Sequence, residues 1–373
     1  MTLHAVILGG LILVASVHFV SIGVLLARPH LRRPAVAKPR PPVTILRPAT
    51  GIENYTEETL ASAFALDYPD FEIVFCVQDP ADPVVALIGR LMDSHPNVPS
   101  RLLLGDDRIG NNPKLNNLVK GWRAARHEWI VMADSNVLMP PTYLDDLLSR
   151  WTGNVGLVSS PPVGTRPEGI GGELECAFLN TYQARWQLAA DAFGVGFAHG
   201  KTMLFRRDIL DHAGGIAALA SATAEDTAAT RLVRAAGLRV RLTRTPFPQP
   251  LGRRTVAEVW RRQLRWSQFR RSDLGLIFWL EPLSFAALAL GDAAVAISIG
   301  GLPSGVFLAL VVLWYGAEAA LARSYRWPLS LVSPVLWIAR DLLLPVLWLG
   351  ALANRTYEWH GHRVDMRPTK RKD

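Results

Sequence analysis

Four groups of side chains have the types and spacing that phosphate and sugar chemistry needs. Val77-Gln-Asp79 closes one β-rich run, and Ala133-Asp134-Ser-Asn136 closes another. Ala224-Glu225-Asp226-Thr227 follows, and Arg262-Gln-Leu-Arg265-Trp266 comes last. A nucleotide-sugar donor carries a diphosphate, which asks for a divalent cation and fixed positive charge. Hard cations such as Mg²⁺ or Mn²⁺ take carboxylate oxygen and share the substrate's phosphates. Asp134, at the end of a buried strand, suits such an ion, and Asn136 adds only a neutral oxygen. Attack on an anomeric carbon also needs a base for the acceptor's proton, and Asp226 is the candidate. Arg262 and Arg265, three apart, share a helix face, and guanidinium forks fit phosphate oxygens. Taken singly, Asp82, Asp134 or Asp226 reads equally well as a helix cap or a surface acid. In order along one chain they answer one chemical problem.

The elements that must position these groups are legible as alternation. Val43-Thr-Ile-Leu46, the run 71–77, Arg101-Leu-Leu-Leu104, Trp129-Ile-Val-Met132 and Val155-Gly-Leu-Val158 are β-rich. Helical patterns lie between them near 57–66, 82–94, 113–126 and 141–150. Such alternation predicts an α/β, Rossmann-like, mostly parallel sheet covered on both faces. Ligands bind such sheets beyond the carboxyl ends of the strands, which is where Asp79 and Asp134 fall.

Half of the 373 residues are apolar and only 19% are charged, below the quarter usual for soluble domains. That excludes a disordered chain. Two cysteines, Cys76 and Cys176, exclude a disulfide scaffold and a cysteine-based zinc site. Residues 1–27 carry no Asp, Glu, Lys or Arg and are long enough to span a bilayer as an uncleaved anchor. Arg28, Arg32, Arg33, Lys38 and Arg40 follow among five prolines, so 28–42 reads as a stiff basic linker on the cytoplasmic side. Residues 43–272 then form the catalytic domain. From 273 to 354 the chain is apolar again. Spans near 276–299 and 302–321 are separated by Gly300-Gly301 and Pro303. A third stretch, 329–353, holds Arg340-Asp341 at its centre, a costly pair in lipid. It reads as a span, a re-entrant hairpin or an interfacial helix. A basic tail, 355–373, ends the chain. The expected localisation is a multi-pass membrane protein of a bacterial inner membrane or its equivalent.

The motif groups resemble a known pattern. Asp79, Asp134, Asp226 and Arg262-x-x-Arg265-Trp266 match the D, D, D, (Q/R)xxRW series of membrane-bound, inverting glycosyltransferases with the GT-A fold. The flanking Leu46-Arg-Pro48, Cys76-Val-Gln-Asp79, Asn112-Pro-Lys114-Leu-Asn-Asn117, Ala133-Asp-Ser135 and Ala224-Glu-Asp226 are similar to the ceramide glucosyltransferase family. The resemblance covers nearly the whole chain. It implies that Asp79 contacts the uridine and that Asp134 binds metal and diphosphate. It implies Asp226 as base, and Arg262, Arg265 and Trp266 around the diphosphate. Glu53 and Lys114 are implied to line the nucleotide pocket, with Mg²⁺ or Mn²⁺ as cofactor. Relatives often carry a carboxylate where Asn136 stands, which leaves the choice of metal open.

The remaining features carry two readings each. Seven arginines from Arg253 to Arg271 face one acid, Glu258, and run into an apolar span. They suit anionic lipid better than nucleic acid, which is not an expected partner. Residues 173–193 have helical spacing that fits either a core helix or one meeting lipid through Tyr182 and Trp186. His199 is either structural or on the acceptor side. The expected reaction is transfer of a hexose from a UDP-sugar, glucose first, to a hydroxyl of a membrane lipid, ceramide first. Diacylglycerol or hopanoid-type lipids are alternative acceptors. A polysaccharide synthase would need more spans, and a non-catalytic nucleotide or lipid binder would keep binding without turnover.

Overall fold

Among the described residues eleven strands form in chain order: β1 (Val43–Ala49), β2 (Phe71–Val77), β3 (Ser100–Leu104), β4 (Trp129–Ala133), β5 (Val155–Ser159), β6 (Val163–Glu168), β7 (Thr202–Arg206), β8 (Arg239–Leu242), β9 (Pro248–Arg253), β10 (Thr356–Trp359) and β11 (His362–Asp365). They come from a computed structural model describing residues 3–28, 39–353, 356–359 and 362–365. Seven of them make one sheet, in the order β3-β2-β1-β4-β7-β5-β8. β1, β2, β3 and β4 run parallel, while β7 runs antiparallel to both β4 and β5. The expected α/β sheet is therefore present, with one reversed strand near its middle.

The sequence alternation explains the layers. Every residue of β1 and of β2 is buried. Val43 and Ile45, with Ile73, Phe75 and Val77, face one core, packed by Leu60, Leu87 and Leu144 of the covering helices. Leu46, Val74 and Cys76 face the other, with Leu115, Leu118, Trp122, Ala228 and Val233. Residues two apart on a strand point the same way, so β-branched and aromatic runs feed both layers.

The chain divides into two units by contact. One holds residues 32–166 and 190–252, the sheet with its helices. The other holds 1–31, 167–189 and 253–367, grouping the apolar helices with two segments expected inside the 43–272 domain. Those segments are helical. Residues 169–192 form one rod, Gly169–Phe178 and Arg185–Ala192 joined by a π-helical stretch, Leu179–Ala184. Tyr182 is buried in this stretch, while Trp186 is half-buried.

In the apolar unit, Leu3–Ala27, Gly305–Ser324 and Ser333–Ala353 are each long and apolar enough to cross a membrane. The expected straight span at 276–299 is not one helix. Leu276–Ser284 and Ala286–Ser298 meet at a 54° bend. Pro282 sits in a single tight turn, Glu281–Ser284, and Phe285 is extended, so the helix cannot run through. The third stretch is a single helix despite Arg340-Asp341. Arg340 is fully buried, with Glu318 at 2.8 Å, Asp341 at 2.8 Å and the Thr181 hydroxyl at 2.7 Å. Paired this way, the charges are not exposed to hydrocarbon. Most of the expected linker, including Arg32, Arg33 and Lys38, and the side chains of the tail lie outside the described residues.

Candidate active site

The strand order turns back between β1 and β4, and that switch point is where α/β sheets open a crevice. β7 runs against β4, with Thr202 opposite Ala133. The start of β7 therefore stands beside the end of β4, bringing His199-Gly200-Lys201 to Asp134. The Asp134 N–H donates to the Lys201 carbonyl at 3.1 Å, which closes this edge.

Asp134 sits between two ammonium groups. Lys114 Nζ is 2.6 Å from its Oδ1 and Lys201 Nζ is 2.9 Å from its Oδ2. Lys201 also donates to Asn136 Oδ1 at 2.9 Å. Lys114 reaches Glu225 Oε1 at 2.6 Å and donates to the Gly200 carbonyl at 2.6 Å. Its position follows from the sequence: Asn112 caps the helix Pro113–Ala124 by accepting the Leu115 N–H, which starts the helix just before Lys114. The Asn112 amide also donates to Glu225 Oε2 at 2.8 Å. Burial works against charge on Asp134, yet Lys114 and Lys201 outweigh it and hold the carboxyl well below the usual range. Burial likewise opposes the charge on Lys114, and Asp134 and Glu225 raise its pKa regardless.

Glu225 and Asp226 open the helix Glu225–Ala235, where the backbone dipole favours carboxylates. Asp226 Oδ2 accepts the Gly200 N–H at 2.8 Å and Oδ1 accepts the Thr227 N–H at 2.7 Å. Burial and then the Glu225 carboxylate push Asp226 up to about 7, against those two N–H groups and Lys114. A carboxylate tuned there suits proton abstraction near neutral pH. Gly200 is required by space: a Cβ on it would lie 2.7 Å from Glu225 Oε1 and 3.2 Å from Lys114 Nζ.

Other expected site residues have plainer surroundings. Asp79 is exposed beyond β2, with Oδ1 accepting the Ala81 N–H at 2.9 Å. Glu53 is exposed in the loop after β1. Asp82 accepts the Val84 N–H at 2.9 Å and the Gly51 N–H at 2.8 Å, which ties the start of the helix Val84–Ser94 to the loop after β1. His199 accepts the Lys201 N–H on Nδ1 at 3.2 Å, and its own N–H donates to Ser159 Oγ at 2.9 Å. Burial, then Lys201, lowers its ring to about 3, so it is a neutral loop-shaping group at physiological pH.

The arginine motif lies in the apolar unit. Thr255 and Glu258 form a capping box that starts the helix Val256–Asp273. Arg262 is ion-paired with Glu175, which is buried on the helix Gly169–Phe178. Arg270 pairs with Glu281 at 2.8 Å, and Arg271 donates to the Ala351 carbonyl at 2.6 Å and the Leu352 carbonyl at 2.7 Å. Much of the basic run thus joins its own unit together. Arg265 and Trp266 are half-buried on the same helix.

The profile of glycosyl transferase family 21 matches residues 11–372. The chain belongs to glycosyl transferase family 21. Ceramide glucosyltransferase 3 of Caenorhabditis elegans is 25% identical over 332 residues, spanning 86% of this chain and 72% of that one. A ceramide glucosyltransferase of Komagataella phaffii is 35% identical over 193 residues, 45% of this chain and 38% of its own. The mannosyltransferase of Pyrobaculum calidifontis, solved with GDP-Man and Mn²⁺, superposes with a TM-score of 0.54 at 21% identity, covering 93% of this chain and 98% of that one. That likeness shows the GT-A-like fold. This family 21 protein is a glycosyltransferase with candidate membrane-spanning helices.

Sequence reasoning missed four residues of this glycosyltransferase site. Lys201 holds both Asp134 and Asn136, Glu225 raises Asp226, and the Gly200 N–H donates to Asp226. Arg47, fully buried in β1, donates to the Ser135 carbonyl at 3.0 Å and fixes the loop carrying Asp134 and Asn136. The signals were an arginine inside a strand pattern and two adjacent acids at a helix start.

Proposed function

We propose that this glycosyltransferase moves a hexose, glucose first, from a UDP-sugar to the primary hydroxyl of a membrane lipid, ceramide first, with inversion. The observation that carries the reading is Asp226, a half-buried carboxylate pushed up to about 7, holding the Gly200 and Thr227 N–H groups beside Glu225 and the lysine-bridged Asp134. In its ionised form Asp226 takes the acceptor hydroxyl's proton as oxygen attacks the anomeric carbon. The bond to the diphosphate breaks on the opposite face. Asp79 contacts the uridine, Glu53 and Lys114 line the nucleotide pocket, and Arg265 and Trp266 hold the diphosphate, while Arg262 is engaged by Glu175. His199 keeps the loop bearing Gly200 in place on the acceptor side.

Asp134 Oδ2 and Asn136 Oδ1 converge on one ammonium nitrogen, so their geometry fits a single small cation. Mg²⁺ or Mn²⁺ would be held by these two residues. Bound there, it supplies positive charge to the leaving diphosphate. Arg28, Arg40 and the adjoining basic residues favour the cytoplasmic face for the sheet unit. A lipid acceptor resists leaving the bilayer at ~0.8 kcal/mol per CH₂, so membrane helices bring catalysis to the headgroups.

The test is a glycosylation assay on membranes containing the full chain, with labelled UDP-glucose and UDP-galactose, and ceramide and diacylglycerol in parallel. The expected product is a labelled glycolipid that vanishes with Asp226→Asn. UDP binding without any labelled lipid from either acceptor would sink the reading.

A further inference from the structure

We propose that Lys201 is a built-in cation of the Asp134–Asn136 seat, competing with a divalent ion there and sustaining nucleotide binding without one. The inference rests on the donor reading of this site. Both oxygens of Asp134 are within 2.9 Å of a lysine nitrogen, and Lys201 bridges from it to the Asn136 amide oxygen. Among the four groups in direct contact the charges balance, Lys114 and Lys201 standing against Asp134 and Glu225. A divalent ion would have to displace one ammonium from the only carboxylate of the seat. Among the described residues no group of three or more His, Cys, Asp or Glu converges to hold a metal. Hard divalent ions gain affinity with each carboxylate, and Asn136 withholds one.

Lys201 is also placed in advance. Its side chain is 14% exposed, its carbonyl accepts the Asp134 N–H, and its own N–H is held by His199. Little conformational entropy is left to lose when a phosphate arrives. A second carboxylate at 136 would overload one lysine with negative charge and favour the ion. An amide oxygen there leaves the single positive charge of Lys201 matched to the single charge of Asp134.

The experiment is calorimetry on the purified full-length protein in detergent, with Mn²⁺ alone as one probe and UDP, in EDTA or in Mn²⁺, as the other. Wild type is expected to bind Mn²⁺ weakly and to bind UDP in EDTA within about tenfold of its affinity in Mn²⁺. Lys201→Met should bind Mn²⁺ at least about tenfold tighter, since an opposing charge is removed from the carboxylate. The same variant should lose roughly 10- to 100-fold in UDP affinity in EDTA, and regain most of it in Mn²⁺. Lys201→Arg should keep UDP binding in EDTA. Unchanged Mn²⁺ affinity in Lys201→Met overturns the proposal, as does wild-type UDP binding that vanishes in EDTA. If UDP binds under neither condition, the donor reading itself falls, while the Mn²⁺ titration still reports on the seat. A thermal melt of Lys201→Met near wild type guards against misfolding.

Discussion

At Asp226 two backbone N–H groups lower the carboxyl's pKa and burial with Glu225 raises it, and the raising effects win. As the proposed base, Asp226 must be ionised, so kcat/KM should rise with pH through about 7 and level off above it. Glu225→Gln removes a neighbouring negative charge and releases Lys114 from one partner. Both effects lower the Asp226 pKa, so the acid limb of the pH profile should move down by up to about one unit. A limb that stays put, or moves up, would assign the titration to another group. Gly200→Ala places a methyl against Glu225 and Lys114. It should cut turnover sharply while UDP affinity changes far less, which single-turnover kinetics with equilibrium binding would separate.

The elements act as brackets for these side chains. β1 carries Arg47 inward, where it donates to Thr59 and Ser135 carbonyls at 3.0 Å each. Arg47→Met leaves those carbonyls unsatisfied and should destabilise the sheet unit by about 1–3 kcal/mol per lost bond, read as a lower melting temperature. The helix Val256–Asp273 is tied to Glu175 through Arg262. Arg262→Ala leaves a buried carboxylate with only the longer contact to Arg254, at 3.6 Å, among the described ion pairs. The expected cost is about 3–5 kcal/mol of stability. Arg265→Ala should raise the donor KM, read in steady-state kinetics with varied UDP-sugar. If Arg262→Ala melts like wild type and raises the donor KM instead, Arg262 belongs to the donor.

On the scale of the molecule, the apolar unit is organised around a buried ionic cluster. Arg340 pairs with Glu318 and Asp341, and Asp341 also accepts the Tyr315 hydroxyl at 3.1 Å. Nearby, Arg185 meets the His18 ring at 2.7 Å, and His18 stacks on Trp314 with centroids 3.6 Å apart. These contacts tie Leu3–Ala27, Gly305–Ser324 and Ser333–Ala353 to the rod at 169–192. Arg340→Leu leaves two acids without their cation and should abolish stable insertion or folding, seen as loss of detergent-extractable monodisperse protein. A paired Arg340→Leu, Glu318→Leu variant should recover part of it, because the uncompensated charge costs more than the pair contributes.

The β-rich runs at 43–46 and 71–77, the helical pattern near 113–126 and the spacing of Arg262-x-x-Arg265 are local properties, so the sequence by itself determined the sheet strands, the covering helices and the candidate carboxylates. The apolar runs likewise announced membrane helices by length and composition alone. Partner choice was not local. Nothing near residue 201 says that its lysine reaches back to Asp134 and Asn136. That depends on β7 running antiparallel to β4, a pairing fixed by long-range packing. The same holds for Arg262 with Glu175, 87 residues apart, and for Arg340 with Glu318. The break at Glu281–Phe285 and the grouping of 167–189 with the apolar helices also needed the tertiary structure. An ion pair is decided by which distant surfaces are buried together, and hydropathy along the chain carries no record of that choice.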